Sequence, residues 1–188
     1  MDQDALNEDM ERLQRMLERV AAEDADFVQR MARGEDVQVL DLACGRCDEA
    51  ETLTKFLTEI RETDRPLPVP KGKKGVRKSR PRGKKSVKLT GLDIRAREIA
   101  DAAARFKKRE DAANGVDVDF EFIHGDGSKL TEHKEMTEEF DVIFVRHQNL
   151  WNGKRTWEEI YHKALEKLSP DGRLIITSYF DGEHEQAL

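Results

Sequence analysis

The chain lacks any apolar run close to the roughly 20 residues that a membrane-spanning helix needs, and its first residues are acidic rather than basic and then apolar. No spanning helix and no secretory leader are therefore expected, and no membrane partner. With 2 cysteines in 188 residues it has too few for a disulfide framework, so a reducing, cytoplasmic setting is expected. There is no second C-x-x-C to complete a zinc site around C-G-R-C at 44–47, and the 5 histidines are scattered, so no metal is expected. There is also no G-x-G-x-x-G, the glycine pattern that lets a dinucleotide pyrophosphate lie on a helix end.

What is present is charge. Lys71 to Lys88 holds ten Lys or Arg and no acid, which leaves 23 basic against 39 acidic residues elsewhere. An acidic body thus carries one basic segment, rich in Pro and Gly (P-L-P-V-P, G-K-K-G, R-P-R-G-K-K), and residues 62–88 read as a flexible insert. Ten cations there could hold RNA or another nucleic acid through its phosphates, or pair with the acidic body instead. No aromatics interleave them, so base stacking is not indicated.

Around the insert, periodicity predicts alternating elements. Leu6, Met10, Leu13, Leu17 and Val20 form one helical stripe, a corner falls at Glu23 to Asp26, and a second helix with Phe27, Val28 and Met31 ends at Gly34. Residues 1–34 thus read as a helical cover and 35–188 as the main domain. Strands are predicted at Val37 to Asp41, Val87 to Asp93, Val116 to His124, Phe140 to Val145 and Arg173 to Phe180. Helices are predicted at Asp48 to Ile60, Arg95 to Glu110 (Ile99, Ala103 and Phe106 inward) and Trp157 to Leu168. Such alternation means α/β: a Rossmann-like, doubly wound, mostly parallel sheet with right-handed crossovers.

Asp41, Asp93 and Asp126 sit at the carboxyl ends of the first three of these strands. Ligands of such sheets bind outside the carboxyl ends of the strands. Each acid alone also reads as a helix cap; three in register favour a ligand. The loop Ala43-Cys44-Gly45-Arg46-Cys47 has a single glycine, and the next helix opens with Asp48, Glu49 and Glu51. That acidity repels pyrophosphate and suits a cofactor carrying an ammonium and a sulfonium.

V-L-D-L-A-C-G-R-C-D, L-T-G-L-D-I, F-I-H-G-D-G, F-D-V-I-F-V-R-H and L-S-P-D-G-R-L-I-I follow one another in order. In this series the chain resembles class I S-adenosylmethionine-dependent methyltransferases, over roughly residues 27 to 180. The resemblance implies S-adenosylmethionine as cofactor, with Asp41 bracing the first loop and Ala43, Cys44 and Gly45 near the methionine part. It further implies Asp93 with Ile94 at the ribose, Gly125, Asp126 and Gly127 at the adenine, and Arg146 after the fourth strand. Ala43 and Cys47 stand where the family motif has glycine; at Ala43 a methyl fits if φ is negative. The family's C-terminal hairpin is expected to be absent, since the eight residues after Phe180 suffice only to start the closing helix.

The acceptor is less legible. Arg146-His147-Gln148-Asn149-Leu150-Trp151 lies where the family meets its substrate, and it is neither N-P-P-Y nor D-P-P-Y. His147 is the candidate base, with orientation or packing as its plainer role. Asn149 and Trp151 are candidate substrate contacts, Trp151 by stacking on a planar acceptor or by covering the core. The expected function is methyl transfer to an unidentified acceptor, RNA or another nucleic acid among the candidates. The alternatives are a small-molecule methyltransferase, or a non-catalytic protein that binds the cofactor or nucleic acid. A thioredoxin-type use of C-G-R-C is disfavoured by the acids crowding the helix start.

Overall fold

A computed structural model describes residues 3–33, 36–62, 85–106, 109–111, 116–146 and 150–178, together with 182 and 185. Two helices, α1 (Gln3–Glu23) and α2 (Ala25–Arg33), precede the strand β1 (Asp36–Leu42). The helix α3 (Ala50–Glu62) follows, then β2 (Lys85–Asp93), α4 (Ala96–Arg105) and β3 (Arg109–Asp111). The chain continues with β4 (Val116–His124), a 3-10 turn (Gly127–Glu132), β5 (Phe140–Arg146), α5 (Lys154–Lys167) and β6 (Leu168–Thr177).

The six strands lie in the order β3-β4-β2-β1-β5-β6, parallel except for the β3–β4 pair. The chain winds outward from β1 on one side through β2 and β4, then crosses to β5 and β6 on the other. The strand order therefore reverses between β1 and β5, where open α/β sheets leave a crevice.

Alternation along β1 and β5 sorts the core into two layers. Val37 and Val39 of β1, with Val142 and Phe144 of β5, face α1, α2, α3 and α4 through Leu13, Leu17, Phe27, Met31, Leu53, Leu57 and Ile99. Leu40, Leu42, Ile143 and Val145 face the opposite layer, where α5 contributes Ile160 and Ala164. The buried Arg61 of α3 donates to the Met31 carbonyl at 3.0 Å, tying α2 to α3. Arg30 of α2 bonds Asp141 at 2.8 Å and Asp171 at 3.0 Å, holding the N-terminal helices against β5 and β6.

The structure departs from the sequence reading at several points, one of them the start of α5 at Lys154 rather than Trp157. The fourth helix stops at Arg105 rather than Glu110, and Arg109–Asp111 doubles back as a short antiparallel strand on β4. On that helix Ala102, not Ala103, is buried beside Ile99, a spacing of three rather than four. Strand β2 begins at Lys85, inside the predicted insert. Lys85 Nζ donates to the carbonyls of Ala32 and Arg61 at 2.9 Å each, and Lys88 pairs with Glu121 at 2.6 Å. These two cations are engaged within the fold itself, Lys85 by backbone carbonyls and Lys88 by a carboxylate. The last strand starts at Leu168 and takes in the predicted turn Ser169 to Gly172, with an irregularity opposite Phe140 and Val142. The rest of the basic segment, 71–84, lies outside the described residues.

Candidate active site

The first loop follows directly from the end of β1. Its backbone is left-handed at every second residue: Ala43 (φ 59°), Gly45 (φ 56°) and Cys47 (φ 53°). Only glycine takes that region without a steric cost, so Ala43 and Cys47 hold strained backbone. This corrects the expectation of a negative φ at Ala43. The loop is pinned to β2, with Cys44 N donating to Leu92 O at 3.2 Å and Gly45 N to Asp93 Oδ2 at 2.7 Å. One layer up, Gly125 N donates to Asp93 O at 3.0 Å, so the ends of β1, β2 and β4 form one connected rim.

A cavity of about 370 Å³ opens on this rim, on the α5 side of the sheet. Ala43, Asp93, Ile94, Gly125, Asp126 and Gly127 line it, six of the residues singled out from sequence. Its apolar walls come from Leu42 and Leu92 on the strands and from Trp157 and Ile160 on α5. Trp157 was readable only as part of an amphipathic helix; which of that helix's residues meet the strand ends depends on tertiary placement. A larger polar groove of about 570 Å³ runs between α1 and α3, past Gln14 and Lys55. It lies on the helices rather than at the strand ends, so the smaller cavity is the candidate site.

Asp93 is buried and well supplied with donors. It accepts from Gly45 N, from Arg95 N at 2.8 Å, from Arg95 Nε at 3.0 Å and from Arg95 Nη2 at 3.3 Å. Burial pushes its carboxyl up, but the hydrogen bonds from Arg95 and Gly45 outweigh this and hold it below the usual range. Arg95 was not anticipated; its guanidinium lies across both Asp93 and the place a Gly45 side chain would occupy. Asp126 caps the 3-10 turn, its Oδ1 accepting from Ser128 Oγ at 2.8 Å and Ser128 N at 2.9 Å. Those two bonds also hold its carboxyl below the usual range. Capping and lining the cavity are therefore joint roles of Asp126.

Asp41, Cys44, Gly45 and Arg146 do not line the cavity. Alternation turns Asp41 toward the other layer, with Val37 and Val39, where it is fully buried. Its Oδ2 accepts from Cys47 Sγ at 2.8 Å, while Oδ1 has no partner among the described residues. Burial, then the nearby Glu49 carboxylate, push the Asp41 carboxyl well above the ordinary range. Arg146 points the same way and bonds Asp9 of α1, with Glu49 at 3.8 Å. Burial raises Glu49 to about 7 against the favourable charge of Arg146. Asp9 sits on the buried side of the first helix, among apolar residues, where the sequence gives no hint of a charged partner.

Trp151 is 66% exposed and does not line the cavity. His147 and Asn149 lie outside the described residues. Among the described residues, no helix is long and apolar enough to cross a membrane, and both cysteines are free thiols.

No curated protein matches the chain in sequence. Among solved structures, an amino pentose methyltransferase from Micromonospora echinaspora, with S-adenosylmethionine bound, is 17% identical. That match covers 86% of this chain and 52% of the other at a TM-score of 0.47. An S-adenosylmethionine-dependent methyltransferase from Clostridium acetobutylicum is 16% identical over 80% of this chain and 47% of its own, with a TM-score of 0.45. A precorrin-6y C5,15-methyltransferase from Geobacter metallireducens is 11% identical over 87% and 64%, with a TM-score of 0.47. The chain thus spans about half the length of the first two. A family model described as a methyltransferase domain matches residues 33–188, from the end of α2 through every strand of the sheet. The chain belongs to this methyltransferase-domain family.

Proposed function

We propose that the protein binds S-adenosylmethionine in the strand-end cavity and transfers its methyl group to an acceptor. One observation carries the reading: the cavity at the carboxyl ends of β1, β2 and β4 presents Asp93 and Asp126 beside apolar walls. Hydroxyl and amino groups suit such carboxylates; phosphates do not.

In this reading Asp93 accepts from the ribose hydroxyls, Asp126 faces the adenine edge, and Ala43, where the first loop meets the cavity, follows the methionine part. Trp157 and Ile160 supply the apolar wall for the purine. The Arg95 guanidinium gives up its bonds to Asp93 when the ribose arrives; at 59% side-chain exposure it can turn into water. Methyl transfer from a sulfonium is an in-line displacement, so alignment of donor and acceptor supplies much of the rate. Where the acceptor must lose its proton early, His147 remains the candidate base.

For the acceptor, the eight cations of 71–84 support RNA or another nucleic acid. Lys85 and Lys88 are engaged within the fold and do not add to that support. The experiment supplies methyl-labelled S-adenosylmethionine together with fractionated cellular RNA, DNA, protein and small metabolites. Label in the RNA or DNA fraction is the expected result. Label confined to small molecules would reject the nucleic-acid acceptor and keep the enzyme. Cofactor binding with no labelled fraction would leave a non-catalytic binding protein.

A further inference from the structure

The geometry points to a second site beneath the first loop: a thiophilic divalent-metal site, of the kind zinc fills, formed by Asp41, Cys44 and Cys47. Sequence spacing argued against one, because C-G-R-C has no second cysteine pair. The fold supplies what spacing cannot, since β1 delivers Asp41 to the two thiols from outside the C-x-x-C.

Two observations carry this. First, one ligand atom from each of Asp41, Cys44 and Cys47 lies within 4.8 Å of the other two. A tetrahedral zinc, with bonds of about 2.0 Å to oxygen and 2.3 Å to sulfur, holds its ligand atoms roughly 3.5 to 4 Å apart. The 2.8 Å contact from Cys47 to Asp41 would lengthen modestly to admit the ion. Second, all three residues are buried, and Asp41 Oδ1 has no partner among the described residues although Asp41 is 0% exposed. A carboxylate oxygen shut away from water without a donor is poorly accounted for by the protein alone.

The electrostatics agree. The hydrogen bond with Cys44, followed by burial, pushes the Cys47 thiol well above its ordinary range. Cys44 is lowered by its contact with Cys47, but burial and nearby carboxylates raise it on balance. Empty, the cluster therefore resists ionisation and makes a poor redox dithiol. A bound dication reverses this, because a coordinating thiol gives up its proton to solvent as the metal–sulfur bond forms. Two thiolates and one carboxylate around a divalent ion carry one net negative charge. The Arg146 cation already acts on Asp41. The site lies in the layer of α1 and α3, behind the loop, whereas the cofactor cavity opens on the α5 side, so it does not depend on the methyltransferase reading.

The test is titration of reduced, tag-free protein with cobalt(II) under anaerobic conditions, followed by zinc. The expected result is a near-ultraviolet thiolate-to-cobalt charge-transfer band that saturates at one ion per chain and is erased by zinc. Cys44→Ser and Cys47→Ser should each abolish the band, and Asp41→Asn should weaken cobalt binding at least tenfold, with circular dichroism checking that each variant folds. If a serine variant fails to fold, the wild-type titration decides, together with zinc protection of both thiols against alkylation. No charge-transfer band from fully reduced wild-type protein would overturn the site. So would a band that survives both cysteine substitutions, or a pair that forms a disulfide with mild oxidant and takes up no metal after reduction.

Discussion

Asp41 and Asp93 end neighbouring parallel strands, and their surroundings set them to opposite tasks. Asp93 accepts from the Gly45 backbone and from the backbone and guanidinium of Arg95, stays ionised and looks into the cavity. Asp41 faces the helical layer, shares one thiol hydrogen bond, keeps one oxygen bare and resists ionisation beside Glu49. The difference lies in donors: the rim has more than it needs, and the floor has too few. A donor-rich carboxylate is ready to exchange one partner for a ligand hydroxyl at low cost. A donor-poor one is waiting for a proton or a cation.

The largest test of this contrast is Glu49→Gln. Glu49 has a folded-state value of about 7, above the usual value near 4.3 in an unfolded chain. Between the two, the folded protein binds more protons than the unfolded one, so stability falls as pH rises through that window. The wild type should lose up to about 3 kcal/mol between about pH 4.5 and pH 8 from this group. The Gln variant should lose that slope and unfold at higher urea than the wild type at about pH 8. Parallel pH profiles for the two proteins would show that the floor is not short of donors.

Asp93→Ala addresses the rim. It should weaken S-adenosylmethionine binding tenfold or more, about 1.4 kcal/mol or above, read by calorimetry. Unchanged affinity would remove Asp93 from the site. The smallest effect belongs to the loop between them. Ala43→Gly relieves a left-handed alanine and should raise stability by about 1 kcal/mol in thermal unfolding. Ala102→Gly, in the middle of α4, should lower it by a similar amount. Destabilisation by both would mean that Ala43 is not strained.

The sheet and the rim were legible because they are written locally. Continuous apolar runs such as Val142 to Val145 mark strands buried on both faces, and the rim acids Asp93 and Asp126 fall at or within two residues of their strand ends. Three-residue β3 carries too little pattern to be seen, and Ala103 was favoured over Ala102 because a spacing of four and one of three both suit a helix face. What stayed hidden depends on partners distant in sequence. Asp9 meets Arg146 across 137 residues, and Lys85 caps the carbonyls of Ala32 and Arg61. The wall of Trp157 and Ile160 depends on where α5 docks. The negative φ expected at Ala43 failed for a related reason. The pins to Leu92 and Asp93 hold the loop in its left-handed turns, and residue identity alone does not reveal them.

The central claim is that the strand-end cavity binds the methyl donor. Calorimetric titration of the folded wild-type protein with S-adenosylmethionine tests it most directly. Saturable binding of one cofactor per chain is the predicted result. A folded protein that gives no saturable binding would contradict the account.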